Sequence, residues 1–165
     1  MIILGVDPSL RSTGYGVIEA AGNQMRGVAF GEIKSKPGVL PSRCLLRIHD
    51  QLRSVIAHTK PEVVVVERVI YVQSTRVAII MGHARGAAML AAAGAGLPIY
   101  EYAPRKVKAV VTGLGAAGKL QVGRMVRALL GLSEVPPTDA ADALALAICH
   151  AQTQRGIVLE PPTRV

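Results

Sequence analysis

Aromatic residues are scarce in this chain, whose 165 residues include one Phe, four Tyr and no Trp. Because half of the residues are nevertheless hydrophobic, the core has to be built from Val, Ile, Leu and Ala side chains. A chain of this length can close such a core on its own. The composition therefore predicts one domain with an aliphatic core.

Cysteines and long apolar segments are also few. Cys44 and Cys149 are the only cysteines and have no CxxC spacing, so we expect two buried free thiols in a reducing compartment. The N-terminus leads directly into an apolar strand and carries no basic signal-peptide region. Residues 86–100 form the longest weakly polar stretch, which glycines and Pro98 interrupt and which is too short to span a bilayer. These absences predict a soluble, cytoplasmic protein with no membrane partner.

Acidic residues are outnumbered, with 11 Asp and Glu against 19 Lys and Arg and a formal net charge of +8. A compact domain with this excess of positive charge usually binds a polyanion, and nucleic acid is the first candidate. A basic surface that serves only solubility is the alternative at this point, because charge alone does not identify a partner.

The spacing of apolar residues predicts an α/β domain. Five strands are expected at residues 2–6, 13–18, 28–34, 63–66 and 97–102. Helical spacing follows at residues 40–59, 75–95 and 122–130, and a last helix opens at Thr138. We expect residues 1–155 to form a single domain, a mixed five-stranded sheet flanked by helices. Residues 156–165 contain two prolines and little to bury, so we expect them to be disordered.

Two acidic residues each follow directly after a strongly hydrophobic strand. Asp7 follows residues 2–6, and Glu67 follows residues 63–66. Open α/β sheets place their chemistry at the carboxyl ends of strands, so both carboxylates are candidate catalytic groups. The alternative is that each is a turn residue, which suits Asp7 before Pro8 but is weaker for Glu67, because Glu does not favour turns.

Asp139 and Asp142 lie three residues apart on the last predicted helix, so their side chains share a face. Asp139 has a structural alternative, because an acid in the first turn behind an N-cap at Thr138 stabilises the helix dipole. Asp142 lies among Ala, Leu and Ile residues with no Lys or Arg within a turn, and an unpaired buried carboxylate is costly. A bound metal ion would remove that cost.

These four acids indicate Mg²⁺ rather than zinc, because the four histidines are scattered and form no cluster with cysteine. Mg²⁺ is usually held by a few carboxylates together with water and phosphate. Two such ions about 3.5–4 Å apart can activate a water and stabilise the leaving oxygen of a cleaved phosphodiester. We therefore expect two Mg²⁺ ions, for which Mn²⁺ can substitute, bound by Asp7, Glu67, Asp139 and Asp142.

Residues 113–119 fit GxxxxGK, most of a phosphate-binding P-loop. Leu120 stands where that motif requires Ser or Thr, and the 46 residues after Lys119 leave too few strands for a P-loop sheet. Lys119 is still informative, because a cation at the start of a helix opposes the helix dipole. It indicates a nearby anion, for which a DNA phosphate is a candidate.

Taken together, these residues make the chain resemble the RuvC family of Holliday-junction resolvases over nearly its whole length. The matching stretches are ILGVDP (3–8), TGYGVI (13–18), LPSR (40–43), VE (66–67), GHARG (82–86), YEYA (100–103), VK (107–108), GK (118–119) and DAADALA (139–145). The resemblance implies an RNase H-like fold, a homodimer and a Mg²⁺-dependent endonuclease acting in DNA recombination and repair. It implies symmetric paired nicks in a four-way DNA junction that leave 5′-phosphate and 3′-hydroxyl ends, and a branch-migration motor complex as a partner.

The resemblance also implies roles for individual residues. The four acids form the metal site in the family, and Lys108 and Lys119 contact DNA near the cut, with a catalytic role for Lys119. Arg76 is a further DNA-binding candidate. The helix over residues 75–93 is a candidate dimer seam because its small residues, such as Gly82, allow close approach, although simple packing against the sheet is equally open.

Two positions depart from the family pattern. Ser9 stands where relatives commonly have Gly, so we expect the turn below the metal site to be altered. Ile70 stands where some relatives carry an aromatic residue that disrupts base stacking at the crossover. Ile70 could wedge between bases and Tyr71 could stack on them, and packing of both under the loop is the alternative.

Other functions fit the sequence less well. A related RNase H-like group that trims ribosomal RNA precursors also has acids after the first strand and a later one, but the DAAD pair, GHARG and the two lysines favour the junction resolvase. A module that binds branched DNA without cutting it has no use for four acids that repel phosphates. Sugar-kinase-like ATPases need a second domain, which this length does not supply.

Overall fold

The structure, a computed structural model, describes residues 1–69, 74–156 and 161–165. Its strands are β1 (Ile2–Asp7), β2 (Ser12–Ala21), β3 (Gln24–Lys34), β4 (Val63–Glu67), β5 (Ile99–Tyr102) and β6 (Thr163–Arg164). Its helices are α1 (Pro41–Thr59), α2 (Thr75–Ala93), α3 (Pro104–Thr112), α4 (Lys119–Leu130) and α5 (Thr138–Thr153). Three consecutive strands are thus followed by α1, β4, α2 and β5 in alternation, and then by three consecutive helices and the short strand β6.

The strands form one mixed sheet in the order β3-β2-β1-β4-β5-β6. β1 pairs antiparallel with β2 and parallel with β4, and β5 continues the parallel part. Up to their last residues, Asp7 and Glu67, β1 and β4 carry almost only apolar side chains, because helices cover both faces of the sheet. Ile3 and Val65 pack towards α3, α4 and α5, whereas Leu4 and Val64 pack towards α1 and α2. The parallel pairing places the carboxyl ends of β1 and β4 side by side.

Helix α5 lies directly on the backbone of β1 and β2. A Cβ atom added to Gly5 would lie 1.9 Å from the carbonyl oxygen of Ala143, and one added to Gly14 would lie 1.9 Å from that of Asp139. Only glycine permits an approach this close between a strand and a helix backbone. The contact brings the first turns of α5, with Asp139 and Asp142, to the sheet edge where β1 ends.

The expected α/β fold class is confirmed, and the sheet has one strand more than the five predicted. Thr163 and Arg164 form β6 by pairing antiparallel with Glu101 and Tyr100 of β5. Disorder was expected over residues 156–165 and is therefore wrong at this pair, while residues 157–160 lie outside the described residues. A strand of two residues has no periodicity that a sequence pattern could show.

The helical region after β5 also differs from what the sequence predicts. Helix α3 was not predicted, and it places residues 113–118 between two helices. The GxxxxGK match therefore does not follow a strand, as it does in a P-loop. Helix α5 begins at Thr138 with Pro137 in the N-cap position and no side-chain cap, so the expectation that Thr138 is the N-cap is wrong.

Cys44 and Cys149 are both buried and free, as predicted. Across the described parts of the chain, each helix is either too short or too polar to cross a bilayer.

The contact at Gly5 leads to a prediction about stability. Replacement of Gly5 by Ala should lower the free energy of unfolding by about 3 kcal/mol or more, because the new methyl group would force α5 away from β1. Thermal unfolding measures the change. Gly156→Ala is the control, since an added Cβ there meets no atom of the described residues within 4 Å. Equal melting temperatures for the two variants would contradict the close contact.

Candidate active site

The carboxyl ends of β1 and β4 border a cleft that contains three of the four predicted acids. Asp7 ends β1, Glu67 ends β4, and Asp142 reaches the same cleft from α5. Val6 and Val66 are register partners, so the acids that follow them are neighbours across the parallel strands. Side chains of α3 and α4 complete the walls of the cleft. Strand pairing and the seating of α5 thus bring together acids that are far apart in the sequence.

Two lysines lie in the same cleft. Lys108 comes from α3, and Lys119 is the first residue of α4. The Lys119 Nζ atom lies 3.6 Å from Asp142 Oδ2, so Asp142 has a basic partner after all, supplied by another helix. The anion that the position of Lys119 indicated is therefore, in part, a carboxylate of the protein itself.

Asp139 is held on the side of α5 that faces β2 and β3. The Ser12 hydroxyl donates to the Asp139 carboxylate, and the Asp139 amide donates to Glu32 Oε1 at 3.4 Å. Glu32 is paired in turn with Lys34, whose Nζ atom lies 2.5 Å from Glu32 Oε2. These contacts anchor the start of α5, which lacks a side-chain cap of its own. Sequence reasoning missed them, because nothing in the sequence relates β2 and β3 to residue 139.

Burial and mutual repulsion perturb the acids of the cleft. The pKa of Asp7 is raised to about 7, first by burial and then by the charges of Glu67, Asp142 and Asp139, while Lys119 acts in the opposite direction. Burial, followed by the charge of Asp142, also raises the pKa of Glu67. Burial raises the pKa of Asp142 against the effect of Lys119. The cluster therefore holds more negative charge than the neighbouring lysines neutralise.

The donor chemistry of this cluster fits a hard divalent cation. Carboxylate oxygens are the ligands that Mg²⁺ prefers, and a cation would offset the repulsion that raises the pKa of Asp7. Among the residues that the structure describes, no three His, Cys, Asp or Glu side chains converge into a ready-made metal cluster. Asp139 is bonded to Ser12 instead, and Asp142 lies beside Lys119. The Ser12 hydroxyl and the Lys119 ammonium group thus occupy carboxylate oxygens that a divalent cation would attract.

Arg85 supports the strand end that carries Glu67. Its guanidinium donates to the main-chain carbonyl of Glu67 at 2.8 Å and to Glu101 Oε2 at 2.7 Å. Arg68 binds the other oxygen of Glu101 at 2.9 Å and also donates to Thr163 of β6. Arg85 and Glu101 both lie in the stretches that resemble the family, but a motif does not show which of its side chains meet. Sequence reasoning therefore assigned neither of them a role.

The remaining candidate residues have different locations. Arg76 lies in the exposed first turn of α2. Ile70 and Tyr71 lie outside the described residues, so the effect of the Ile70 departure stays a prediction. The DNA-binding roles of Lys108, Lys119 and Arg76 likewise stay predictions.

Ser9, the other departure, fits its turn without strain. Its amide donates to Thr13 Oγ1 at 3.2 Å, and that hydroxyl donates back to the Ser9 carbonyl at 2.7 Å. Ser9 does not adopt the positive φ that would require glycine. The turn after Asp7 therefore closes through Thr13 with serine in place.

The fold is RNase H-like, a mixed sheet with acids at two neighbouring strand ends and on the helix packed over them. A solved structure described as T. thermophilus RuvC in complex with Holliday junction substrate shares it, with a TM-score of 0.88 and 37% identity. The match covers 94% of this chain and 95% of that chain. The fold and the arrangement of the acids therefore assign the chain to a class of nucleases.

Sequence comparisons identify the family. Residues 3–150 match the family described as crossover junction endodeoxyribonuclease RuvC. The chain is 49% identical to the enzyme of that name from Pelotomaculum thermopropionicum, over 92% of this chain and 93% of the relative. It is 46% identical to the one from Moorella thermoacetica, over 92% of this chain and 91% of the relative. The chain belongs to the RuvC family of crossover junction endodeoxyribonucleases.

The repulsion around Asp7 predicts a gain in stability when its charge is removed. In EDTA at neutral pH, Asp7→Asn should raise the free energy of unfolding by roughly 1–2 kcal/mol, because a neutral amide replaces a carboxyl that burial and three acids disfavour in its charged form. Thermal or urea unfolding measures the change. Asp50→Asn, at an exposed acid of α1, is the control and should stay within about 0.5 kcal/mol of the wild type. A destabilised Asp7→Asn protein would show that the carboxylate is a structural anchor.

Proposed function

We propose that this protein resolves Holliday junctions by metal-dependent hydrolysis, nicking two strands symmetrically. The observation that carries the proposal is the cleft, where acids at two parallel strand ends lie beside two lysines in a protein of net charge +8. Family membership supports it, because the Thermus relative is described in complex with a Holliday junction substrate. The basic surface attracts the DNA backbone, whereas the acids repel it unless a cation accompanies it.

The four acids are proposed to hold two Mg²⁺ ions, for which Mn²⁺ can substitute. Bound there, such ions would supply activation of a water for attack and neutralisation of the leaving 3′ oxygen, so that the products would carry 5′-phosphate and 3′-hydroxyl ends. The protein contributes the positions of the ligands. Asp7 and Glu67 are presented by paired strands, Asp142 by α5, and Asp139 is restrained by Ser12. A ligand set built on strands and a helix is held more precisely than one on loops.

Lys119 is proposed to act on the scissile phosphate. Its side chain is 68% exposed although its Nζ atom lies 3.6 Å from Asp142, so it can reach a phosphate and stay beside the acids. A positive charge at this point stabilises the negative charge that builds up during phosphodiester cleavage. Lys108 on the same cleft wall, and Arg76 on α2, are proposed to bind the flanking DNA.

A second copy of the chain is proposed to bind along α2. Ile79 and Leu90 are 53% and 64% exposed, and an added Cβ at Gly82 or Gly86 between them meets none of the chain's described atoms within 4 Å. The four residues follow one another at three- and four-residue spacing and therefore form one helix face. An exposed apolar face of this kind marks an interaction site. A two-fold dimer suits a substrate in which two strands are cut symmetrically.

By family resemblance, we also propose a branch-migration motor complex as a partner and the cytoplasm as the location. Neither follows from the geometry of the cleft.

The proposed activity predicts the behaviour of two variants. Asp7→Asn should bind a synthetic mobile four-way junction normally and lose cleavage in Mg²⁺, because it lacks one ligand of the metal site.

Lys119→Ala should slow cleavage of the same junction roughly 10-fold or more. It should also reduce the slope of log affinity against log salt by about 0.9, the contribution of one phosphate contact.

The same assay separates the alternatives. Linear duplex, single-stranded DNA and structured RNA are run beside the junction, each with an EDTA control. Paired symmetric nicks in the junction alone support the proposal. Cleavage of RNA alone would assign the chain to an RNA-processing activity, and tight junction binding without cutting would make it a binding module.

The proposed dimer predicts the effect of a charge on the exposed face of α2. Leu90→Asp should shift the protein towards the monomer in sedimentation equilibrium, because it places a carboxylate in an apolar interface. Leu114→Asp is the matched control, since Leu114 is 54% exposed but lies in the loop after α3. A dimer that persists in Leu90→Asp would exclude this face as the seam.

A further inference from the structure

Arg85 is a well-shielded arginine that the proposed chemistry does not use. Its side chain is only 15% exposed, and both terminal nitrogens are bonded, Nη1 to the Glu67 carbonyl and Nη2 to Glu101. A guanidinium is costly to bury unless its hydrogen bonds are well satisfied. The two hydrogen-bond partners, the Glu67 carbonyl and the Glu101 carboxylate, therefore indicate which groups Arg85 restrains.

One hydrogen bond of Arg85 restrains the main chain at the end of β4. Glu67 is the last residue of that strand, and the amide of the next residue, Arg68, donates to the Tyr102 carbonyl of β5 at 2.8 Å. The peptide that follows Glu67 is thus held through its N–H by β5 and through its carbonyl by Arg85. Rotation of this peptide would turn the Cα of Glu67 and redirect its carboxylate.

Arg85 also lies next to the acids in space. It borders a small gap that is lined as well by Asp7, Pro8, Glu67 and Met81. Glu101 holds the guanidinium in place from β5, with a distance of 2.7 Å between Arg85 Nη2 and Glu101 Oε2. Arg85 therefore connects Glu101 of β5 to Glu67 of β4, which is one of the acids of the cleft.

We propose that Arg85 is the positioning residue for Glu67, and that Glu101 orients Arg85 for this role. The inference rests on the proposed function in so far as Glu67 is a metal ligand. Groups that orient metal ligands typically affect metal affinity or activity by about 10–100-fold without touching the metal. Arg85 does so through the main chain of Glu67, while its charge is balanced by Glu101.

A purely structural role for Arg85, in fastening α2 to the sheet, makes a different prediction. Arg68 is the matched control, because it binds the same carboxylate at 2.9 Å but donates its other bond to Thr163 rather than to Glu67. Arg85→Gln and Arg68→Gln each remove one ion pair from Glu101. Only the former removes the donor to the Glu67 carbonyl.

The first experiment measures single-turnover cleavage of a four-way junction against Mg²⁺ concentration, with junction binding measured in EDTA. Arg85→Gln should raise the half-saturating Mg²⁺ concentration about 10–100-fold and leave junction affinity nearly unchanged. Arg85→Lys should fall between Arg85→Gln and the wild type, because lysine keeps the charge but cannot make both bonds in the same geometry. Arg68→Gln should stay within about 3-fold of the wild type, as expected for a more exposed ion pair. Equal effects of Arg85→Gln and Arg68→Gln would overturn the inference.

The second experiment does not depend on activity. The rise in melting temperature caused by Mg²⁺ is compared among the wild type, Arg85→Gln, Glu67→Gln and the double variant. Arg85→Gln should reduce the rise, and the double variant should show no further loss than Glu67→Gln alone, because Arg85 acts through Glu67. If Arg85→Gln does not fold, Arg85→Lys takes its place in both experiments.

The outcomes separate this inference from the proposed function. A full Mg²⁺ response in Arg85→Gln together with a reduced response in Glu67→Gln would overturn the role of Arg85 alone. A full response in Glu67→Gln would remove Glu67 from the metal site, and the proposed metal site and this inference would fail together.

Discussion

The contact between the backbones of α5 and the β1–β2 pair determines where the acids meet. At Gly5 and Gly14 there is no room for a Cβ atom, so the helix lies closer to the sheet than side chains ordinarily allow. Asp139 and Asp142 are in the first turns of this helix, and their distance from Asp7 is set by how deeply the helix lies. Because protein interiors are closely packed and resist deformation, replacement of either glycine by a larger residue would displace Asp139 and Asp142 together.

The cleft is an acidic site within a protein of net charge +8. Neighbouring side chains compensate its carboxylates to different extents. Ser12 donates to Asp139 and Lys119 lies beside Asp142, whereas the pKa of Asp7 is raised to about 7 by burial and by its acidic neighbours. Such a cluster opposes folding, because like charges are held together away from water. Natural proteins accept this loss of stability at sites where function requires it.

The support around the acids comes from several parts of the fold. Glu32 of β3 accepts a bond from the start of α5, and Arg85 of α2 holds the main chain of Glu67. Glu101 connects that arginine to Arg68, whose other partner is in the terminal strand β6. The cleft therefore depends on elements from both edges of the sheet, which makes the geometry of the acids a property of the whole domain.

Local patterns in the sequence are enough to predict the hydrophobic strands, the acids at the ends of β1 and β4, the pair Asp139 and Asp142 on one helix face, and the family. Periodicity and motif spacing are sufficient for these, because they depend on residues close together in the chain. Which side chains compensate the acids depends on tertiary packing instead. The Lys119–Asp142 pair, the Ser12–Asp139 bond, the Arg85–Glu67 bond and the pairing of β6 join residues that are distant in the chain, and neither residue of such a pair leaves a local pattern that points to the other.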